Sequence, residues 1–196
     1  MAYLYARANG DEPTLGFEEG LAIFSRHPVG SPRLAELGEG KSTFVRRIAL
    51  GAQVEIPGGS LMVFTAHLGL GSRDNASQVN HLRSWVAGQA AGQTALVGGD
   101  FNTGERSPQI IQAQADWVDV YRLVQPHTPG DTHTLGYTFT AGRLSWLALR
   151  RKRLDYLFLH PGSAGWQVDW AEHLDGVGRS FSDHRAVVAG LHLNTS

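Results

Sequence analysis

An α/β domain with a layered sheet is the fold class that these 196 residues predict. Three observations carry that expectation. Short apolar, β-branched runs alternate with Gly and Pro punctuation, the pattern of strands joined by hairpins. One longer segment spaces its apolar residues at helical intervals instead. No repeat, linker or low-complexity tract divides the chain, so residues 1–196 read as a single domain.

The elements follow in order. Leu21 to Ser25 reads as a strand closed by Arg26, His27 and Pro28. Thr43 to Leu50 and Gln53 to Ile56 read as strand material, Pro57-Gly58-Gly59 as a turn, and Leu61 to Ala66 as the next strand. That succession predicts an antiparallel meander. Asp74 or Asn75 is placed to cap a helix from about Ala76 to Ala90, with Val79, Leu82 and Val86 on one face. Thr94 to Val97 is a short buried strand ending in Gly98-Gly99, and Pro108 to Ala115 starts like a helix, since Pro is tolerated in a first turn. Leu154 to Leu159 and Ala186 to Leu193 are read as the last two strands, and Gly136 to Gly142 and Gly176 to Gly178 as loops.

Composition excludes several function classes. There is no cysteine, which removes disulfide scaffolds, thiolate zinc sites and cysteine nucleophiles. A net charge of -1 gives no global footprint for nucleic acid and leaves a local basic groove open. The N-terminal MAYLYARANGDEP lacks the apolar stretch of a signal peptide, and no run approaches the ~18 apolar residues of a membrane span. A soluble, unexported, cytoplasmic chain is the expectation.

Polar clusters stand where apolar strands end. A strand holds its last residues rigidly while the loop beyond opens to solvent, so reactive groups are often carried there. His67 follows the strand Leu61 to Ala66; alone, it is an ordinary loop or half-buried histidine. Gly98-Gly99-Asp100-Phe101-Asn102 puts a carboxylate beside an amide carbonyl. In an extended backbone these two point to the same side and form a hard oxygen pair suited to Mg²⁺ or to a water; alone, the same letters spell a turn. Asp155 interrupts an apolar strand, Arg153-Leu154-Asp155-Tyr156-Leu157-Phe158, and needs a partner if buried. Ser182-Asp183-His184-Arg185 precedes the final strand, and an Asp-His pair by itself is uninformative.

Together the motifs are specific. TAHL, GGDFN, RLDYLFL and SDHRAV occur in this order, each at a strand end, and EGLAIFSRHPV precedes them. The chain resembles the endonuclease/exonuclease/phosphatase superfamily, the deoxyribonuclease I-like fold, from about Tyr3 to Leu193, with the region of Asp119, Tyr137, Thr138 and Phe139 matching too. The resemblance implies a two-layer β-sandwich flanked by helices, with the site at one mouth. By the same resemblance, His67 stabilises the pentacovalent phosphate, and Asp100 and Asn102 hold or orient the attacking water and the phosphate. Asp183 helps bind the divalent metal, Mg²⁺ or alternatively Mn²⁺. His184, paired with Asp155, is a general base or phosphate ligand, and whether it or Asp100 takes the water's proton is left open. Arg73, in the loop after His67, reads equally as a substrate-phosphate contact and as a solvated arginine. Arg150 to Arg153 form a basic run that is solvated or steers an anion, and the five tryptophans read as core or rim.

The N-terminus departs from the family. Members begin with a strand carrying an Asn, then a helix, then a strand ending in a Gln-Glu pair whose Glu is the main metal ligand. Nothing of that kind precedes Tyr3. Asp11, Glu12, Glu18 and Glu19 are the early acids, and Glu19 fills a position that the family does not use as a ligand. The sandwich is therefore expected to be N-terminally shortened, with an exposed sheet edge and an uncovered core face. A truncated or mis-started reading of a longer protein is favoured over a genuinely shortened domain or a degenerate relative. The functional expectation is a metal-dependent phosphoester hydrolase acting on nucleic acid, a phospholipid headgroup or another phosphodiester. The alternative is a non-catalytic relative acting as a binding domain. A zinc hydrolase is disfavoured because the nine histidines show no His-Glu-x-x-His spacing.

Overall fold

The computed structural model describes residues 1–39, 45–70, 72–134, 151–160, 162, 165–175 and 182–193. The chain opens on an antiparallel hairpin, β1 (Ala2–Gly10) and β2 (Glu18–Ser25), with the short α1 (Glu12–Leu15) between them. β3 (Arg33–Glu39), β4 (Arg46–Ile56) and β5 (Gly59–His67) form the antiparallel meander. The long α2 (Ser72–Ala90) then returns the chain to β6 (Ala95–Asp100), which runs parallel to β5. α3 (Pro108–Ala113), β7 (Val118–Asp119), α4 (Val120–Val124), β8 (His133–Thr134) and β9 (Arg151–Lys152) lead to β10 (Asp155–His160). A second antiparallel hairpin, β11 (Trp166–Leu174) and β12 (Ala186–Leu193), ends the fold. The central sheet has the order β3-β4-β5-β6-β10-β7.

Alternation along its strands gives this sheet two unlike faces. On one, Met62, Phe64, Val97, Tyr156 and Phe158 meet Val79, Leu82 and Val86 of α2 and Ile110 and Ala113 of α3. Each large apolar side chain buried here contributes about 1.5–3 kcal/mol relative to exposure. Phe101 stands edge-on to Tyr156 and Phe158 at centroid distances of 5.5 and 5.3 Å and packs the first residue after Asp100 into this core. On the other face the first hairpin covers Ile48, Leu50 and Ala52, using Ala6 and Ile23. The second hairpin and α4 cover Leu96, Leu157 and Leu159, using Ala171, Val120 and Tyr121. The hairpins remain separate two-stranded sheets. Between them Val63, Thr65, Leu96, Gly98 and Leu157 are only half-buried. Central sheet, hairpin layer and helices make the α/β sandwich that the sequence predicts. No described helix is long and apolar enough to cross a membrane.

Several local expectations are corrected. β1, β3 and β11 were not read from the sequence. β11 escapes because its register shifts between Val168 and Trp170, so the apolar alternation reverses part-way along the strand. β4 runs unbroken from Arg46 to Ile56, so the two strand segments expected there are one. α2 begins at Ser72, ahead of Asp74 and Asn75. Asn75 is therefore no cap: its buried Nδ2 donates to the carbonyls of Gly69 and Phe101 at 2.8 and 2.7 Å, tying the helix to the loop after β6. α3 ends at Ala113, its N-terminus held by the Ser107 hydroxyl accepting from the Ile110 N–H. Arg73 is an exposed residue of α2's first turn rather than a loop residue. Trp117 is core, whereas Trp170 is a half-exposed rim residue. The expectations for Thr43, Tyr137 to Phe139, Gly136 to Gly142, Trp146, Arg150 and Gly176 to Gly178 fall outside the described residues.

Candidate active site

Strand register builds the centre of the site. His67 pairs with Asp100 across the parallel β5–β6 ladder, and Asp155 pairs with Asp100 across β6–β10. Three polar side chains therefore form one row across three adjacent strands, all on the face that the hairpins partly cover. Gly99 makes this row possible. Its φ of 139° lies in glycine's territory, and a Cβ built there would overlap the Ala66 carbonyl oxygen. Any other residue would push β5 away from β6.

Each end of the row carries a histidine–carboxylate pair. At one end His67 Nδ1 lies 3.1 Å from Glu19 Oε1, while its Nε2 faces Asp100 Oδ2 at 3.5 Å. Glu19 is held in turn by Asn9 Nδ2 at 3.1 Å and by Arg47 at 3.4 Å. At the other end His184 Nδ1 meets Asp155 Oδ2 at 2.7 Å, a charge-assisted distance. That contact fixes the ring and leaves Nε2 without a hydrogen bond among the described residues. The partner that the part-buried Asp155 requires is thus His184.

Asp100 and Asn102 come together by a route other than strand alternation. β6 ends at Asp100, and Asn102 takes a left-handed φ of 49°. The Asn102 N–H donates to Asp100 Oδ1, and its Nδ2 donates to the Leu68 carbonyl, both at 2.8 Å. With its amide nitrogen committed, Asn102 presents a carbonyl oxygen as its available group. The electrostatics are tense. Burial pushes the Asp100 carboxyl up from its ordinary value, and the like charge of Asp155 pushes the same way against the Asn102 hydrogen bond. Two part-buried carboxylates in one row are relieved by a cation.

The ligand chemistry of the chain fits such a cation. Asp100, Asp155 and His184 bring donor atoms within 4.8 Å of one another, and so do His133, Asp183 and His184. Asp183 lies in the second group, 3.5 Å from His133 Nε2. Arg73 makes no ion pair with these groups among the described residues. The basic run is corrected at Arg153, whose side chain is only 2% exposed. Its guanidinium grips both Asp119 oxygens at 2.7 and 2.6 Å and lies 4.6 Å over the Tyr156 ring. Arg153 is thus framework beneath Asp155. Glu19 and His133 are the residues that sequence reading missed. Glu19 is not expected as a metal ligand, and its partnership with His67 depends on the hairpin's docking. His133 belongs to none of the four motifs.

The chain matches a known protein family in sequence and solved structures in fold. Residues 5–184 match the model of the Endonuclease/Exonuclease/phosphatase family. The chain belongs to that family. No curated protein matches by sequence. Among solved structures, a functionally unknown conserved protein from Enterococcus faecalis V583 is similar at 22% identity and a TM-score of 0.74, over 98% of this chain and 77% of that one. An endonuclease/exonuclease/phosphatase from Beutenbergia cavernae DSM 12333 is similar at 23% identity and a TM-score of 0.75, over 97% of this chain and 53% of that one. The human Nocturnin catalytic domain, solved with bound sulfate anion, follows at 17% identity and a TM-score of 0.70, over 98% and 73%. At these identities the likeness establishes the shared fold. Family members are nucleases and phosphatases, so the family chemistry is phosphoester hydrolysis.

Proposed function

We propose that this chain hydrolyses a phosphodiester by water attack on phosphorus, with a divalent cation, Mg²⁺ or Mn²⁺, held at Asp183 beside the Asp100 row. The observation that carries the reading is the continuous row from Glu19–His67 through Asp100 to Asp155–His184. It sets two imidazoles and a carboxylate of raised basicity on one open face. The bound cation supplies charge neutralisation at the phosphoryl oxygens.

The chain's own groups do the rest. Asp100 accepts the water's proton as the new P–O bond forms and the bond to the leaving oxygen breaks; its raised pKa makes it a better base than an ordinary carboxylate. The Asn102 carbonyl orients that water. His67, steadied by Glu19, donates to the phosphorane oxygens, where charge develops. Asp155 fixes His184 so that its Nε2 meets the phosphoryl oxygens or the cation that neutralises them. The substrate classes that suit this chemistry are nucleic acid, phospholipid headgroups and small phosphodiesters.

The test is hydrolysis of bis-p-nitrophenyl phosphate with and without Mg²⁺ or Mn²⁺. We expect metal-stimulated turnover that falls by about 10²-fold or more in Asp100→Asn. Equal rates for the two proteins would reduce this chain to a binding domain.

A further inference from the structure

His133 stands beside the site with no task in the scheme above. Its place is fixed by main chain. It forms an isolated antiparallel bridge with His184, and the Arg185 N–H donates to the neighbouring Thr132 carbonyl at 2.7 Å. The buried Thr132 hydroxyl accepts from the N–H groups of Leu154 and Asp155 at 2.9 and 3.0 Å. One short strand thus locks the starts of β10 and β12 together and sets His133 against His184 as rigidly as the sheet allows.

The ring itself is poorly satisfied. Its side chain is 14% exposed, and its buried Nδ1 has no hydrogen-bond partner among the described residues. Its Nε2 stands 3.5 Å from Asp183 Oδ2, beyond the ~2.7–3.2 Å of an N–H···O bond. The His184 ring lies edge-on at a centroid distance of 4.5 Å. A largely buried imidazole whose Nε2 faces a carboxylate and a second imidazole, with no ordinary hydrogen bond there among the described residues, is placed as a metal ligand. His184 is already dressed for that role. Its Nδ1 contact with Asp155 is the carboxylate–histidine link that orients metal-bound imidazoles and raises their basicity, and it leaves Nε2 as the donor.

We propose that His133, Asp183 and His184 form a two-histidine, one-carboxylate site for a divalent transition ion of the Mn²⁺/Zn²⁺ class. Their donor atoms lie within 4.8 Å of one another. An ion at ~2.1 Å from each donor sets those donors roughly 3–4 Å apart, so small side-chain movements close the site. Two imidazole nitrogens favour Mn²⁺ over Mg²⁺, which takes oxygen ligands, and so narrow the two ions of the proposed function to Mn²⁺; three protein donors leave positions open for water and a phosphoryl oxygen. This inference rests on the proposed function for what the ion does, and it names the ion class and one nitrogen ligand, His133, that the four motifs do not supply.

Binding is measured without turnover, so the two readings fail separately. The full chain is titrated calorimetrically with Zn²⁺, Mn²⁺ and Mg²⁺, with His133→Asn as the variant and the exposed His81→Gln as a control for adventitious surface histidine binding. One equivalent of Zn²⁺ is expected, tighter than Mn²⁺, with Mg²⁺ weakest. We expect His133→Asn to lose about tenfold or more in Zn²⁺ affinity, and His81→Gln to lose none. Pulsed electron paramagnetic resonance of the Mn²⁺-loaded wild type should show two imidazole nitrogens, a readout that needs no variant to fold. Unchanged Zn²⁺ affinity in a His133→Asn protein with wild-type circular dichroism would overturn the site, as would fewer than two coupled imidazoles or Mg²⁺ binding as tight as Mn²⁺. Mg²⁺-supported hydrolysis that is insensitive to His133 would leave the proposed function standing and this site refuted.

Discussion

The two histidine–carboxylate pairs that flank Asp100 are chemically alike and differently housed. His67 and Glu19 are 39% and 40% exposed at the side chain, whereas His184 and Asp155 are 25% and 18% exposed. The outer pair is 3.1 Å apart, and Glu19 divides itself among His67, Asn9 and Arg47. The inner pair is 2.7 Å apart. Its carboxylate follows Arg153, which is buried against Asp119, and its backbone is stapled by Thr132. Lower exposure means less screening and stronger coupling between charges. The inner pair is therefore built to hold a fixed geometry, and the outer pair to adjust to what binds.

The sharpest way to break this comparison is at the inner pair. His184→Ala should lower the hydrolysis rate on the order of 10³-fold, and Asp155→Asn should cost about as much, because it releases the tautomer and orientation of the same ring. Steady-state rates on one diester substrate check both. A loss below tenfold for Asp155→Asn would show that the 2.7 Å contact does not organise the reaction.

Next in size is the framework under that pair. Arg153→Met would leave Asp119 buried without its guanidinium, which should destabilise the fold by about 3–5 kcal/mol in chemical denaturation. The outer pair has no such buried support and should show no such penalty. His67→Ala is expected to cost about 10²-fold in rate, and Glu19→Gln only several-fold, since an amide still accepts a hydrogen bond from the ring. A Glu19→Gln effect equal to that of Asp155→Asn would erase the distinction drawn here.

The smallest effect lies under the second hairpin. His173 stacks on Tyr121 at 4.0 Å, and burial pulls its pKa down to about 4 from an ordinary value of 6.5. The unfolded chain therefore takes up this proton at higher pH than the folded chain does. Stability should be unaffected by this group above about pH 6.5, fall as pH drops towards 4, and lose nothing more to it below that. Both ring nitrogens are buried while the residue as a whole keeps some exposure, so after solvent screening the loss should be on the order of 1 kcal/mol. Denaturation midpoints between pH 4 and 7 check it, and His173→Leu should flatten the slope.

The parts of the site legible in the sequence were those that a strand presents at its own end. His67, Asp100 and Asp155 follow or open apolar runs, and the register of three neighbouring strands does the rest. Glu19 was legible only as an early acid. Its use is decided by how the first hairpin docks on β4 and β5, which no local pattern encodes. His133 was illegible for a related reason: its neighbours Asp183 and His184 lie far along the chain, and a two-residue strand leaves no periodicity to read. Arg153 misled because charged runs are usually solvated, and only the fold reveals the Asp119 carboxylate waiting beneath it. Strand alternation does not join Asp100 and Asn102: the strand ends at Asp100, and a left-handed turn brings the Asn102 N–H to the Asp100 carboxylate.

The central claim is that one site, centred on Asp100 and dominated by the inner pair, cleaves phosphodiesters. The most direct test is a single assay of bis-p-nitrophenyl phosphate hydrolysis at saturating Mn²⁺, comparing wild type, His67→Ala and His184→Ala side by side. Metal-stimulated turnover, about 10²-fold slower in His67→Ala and slower still in His184→Ala, is the predicted result. Turnover that is the same in all three proteins would contradict the account.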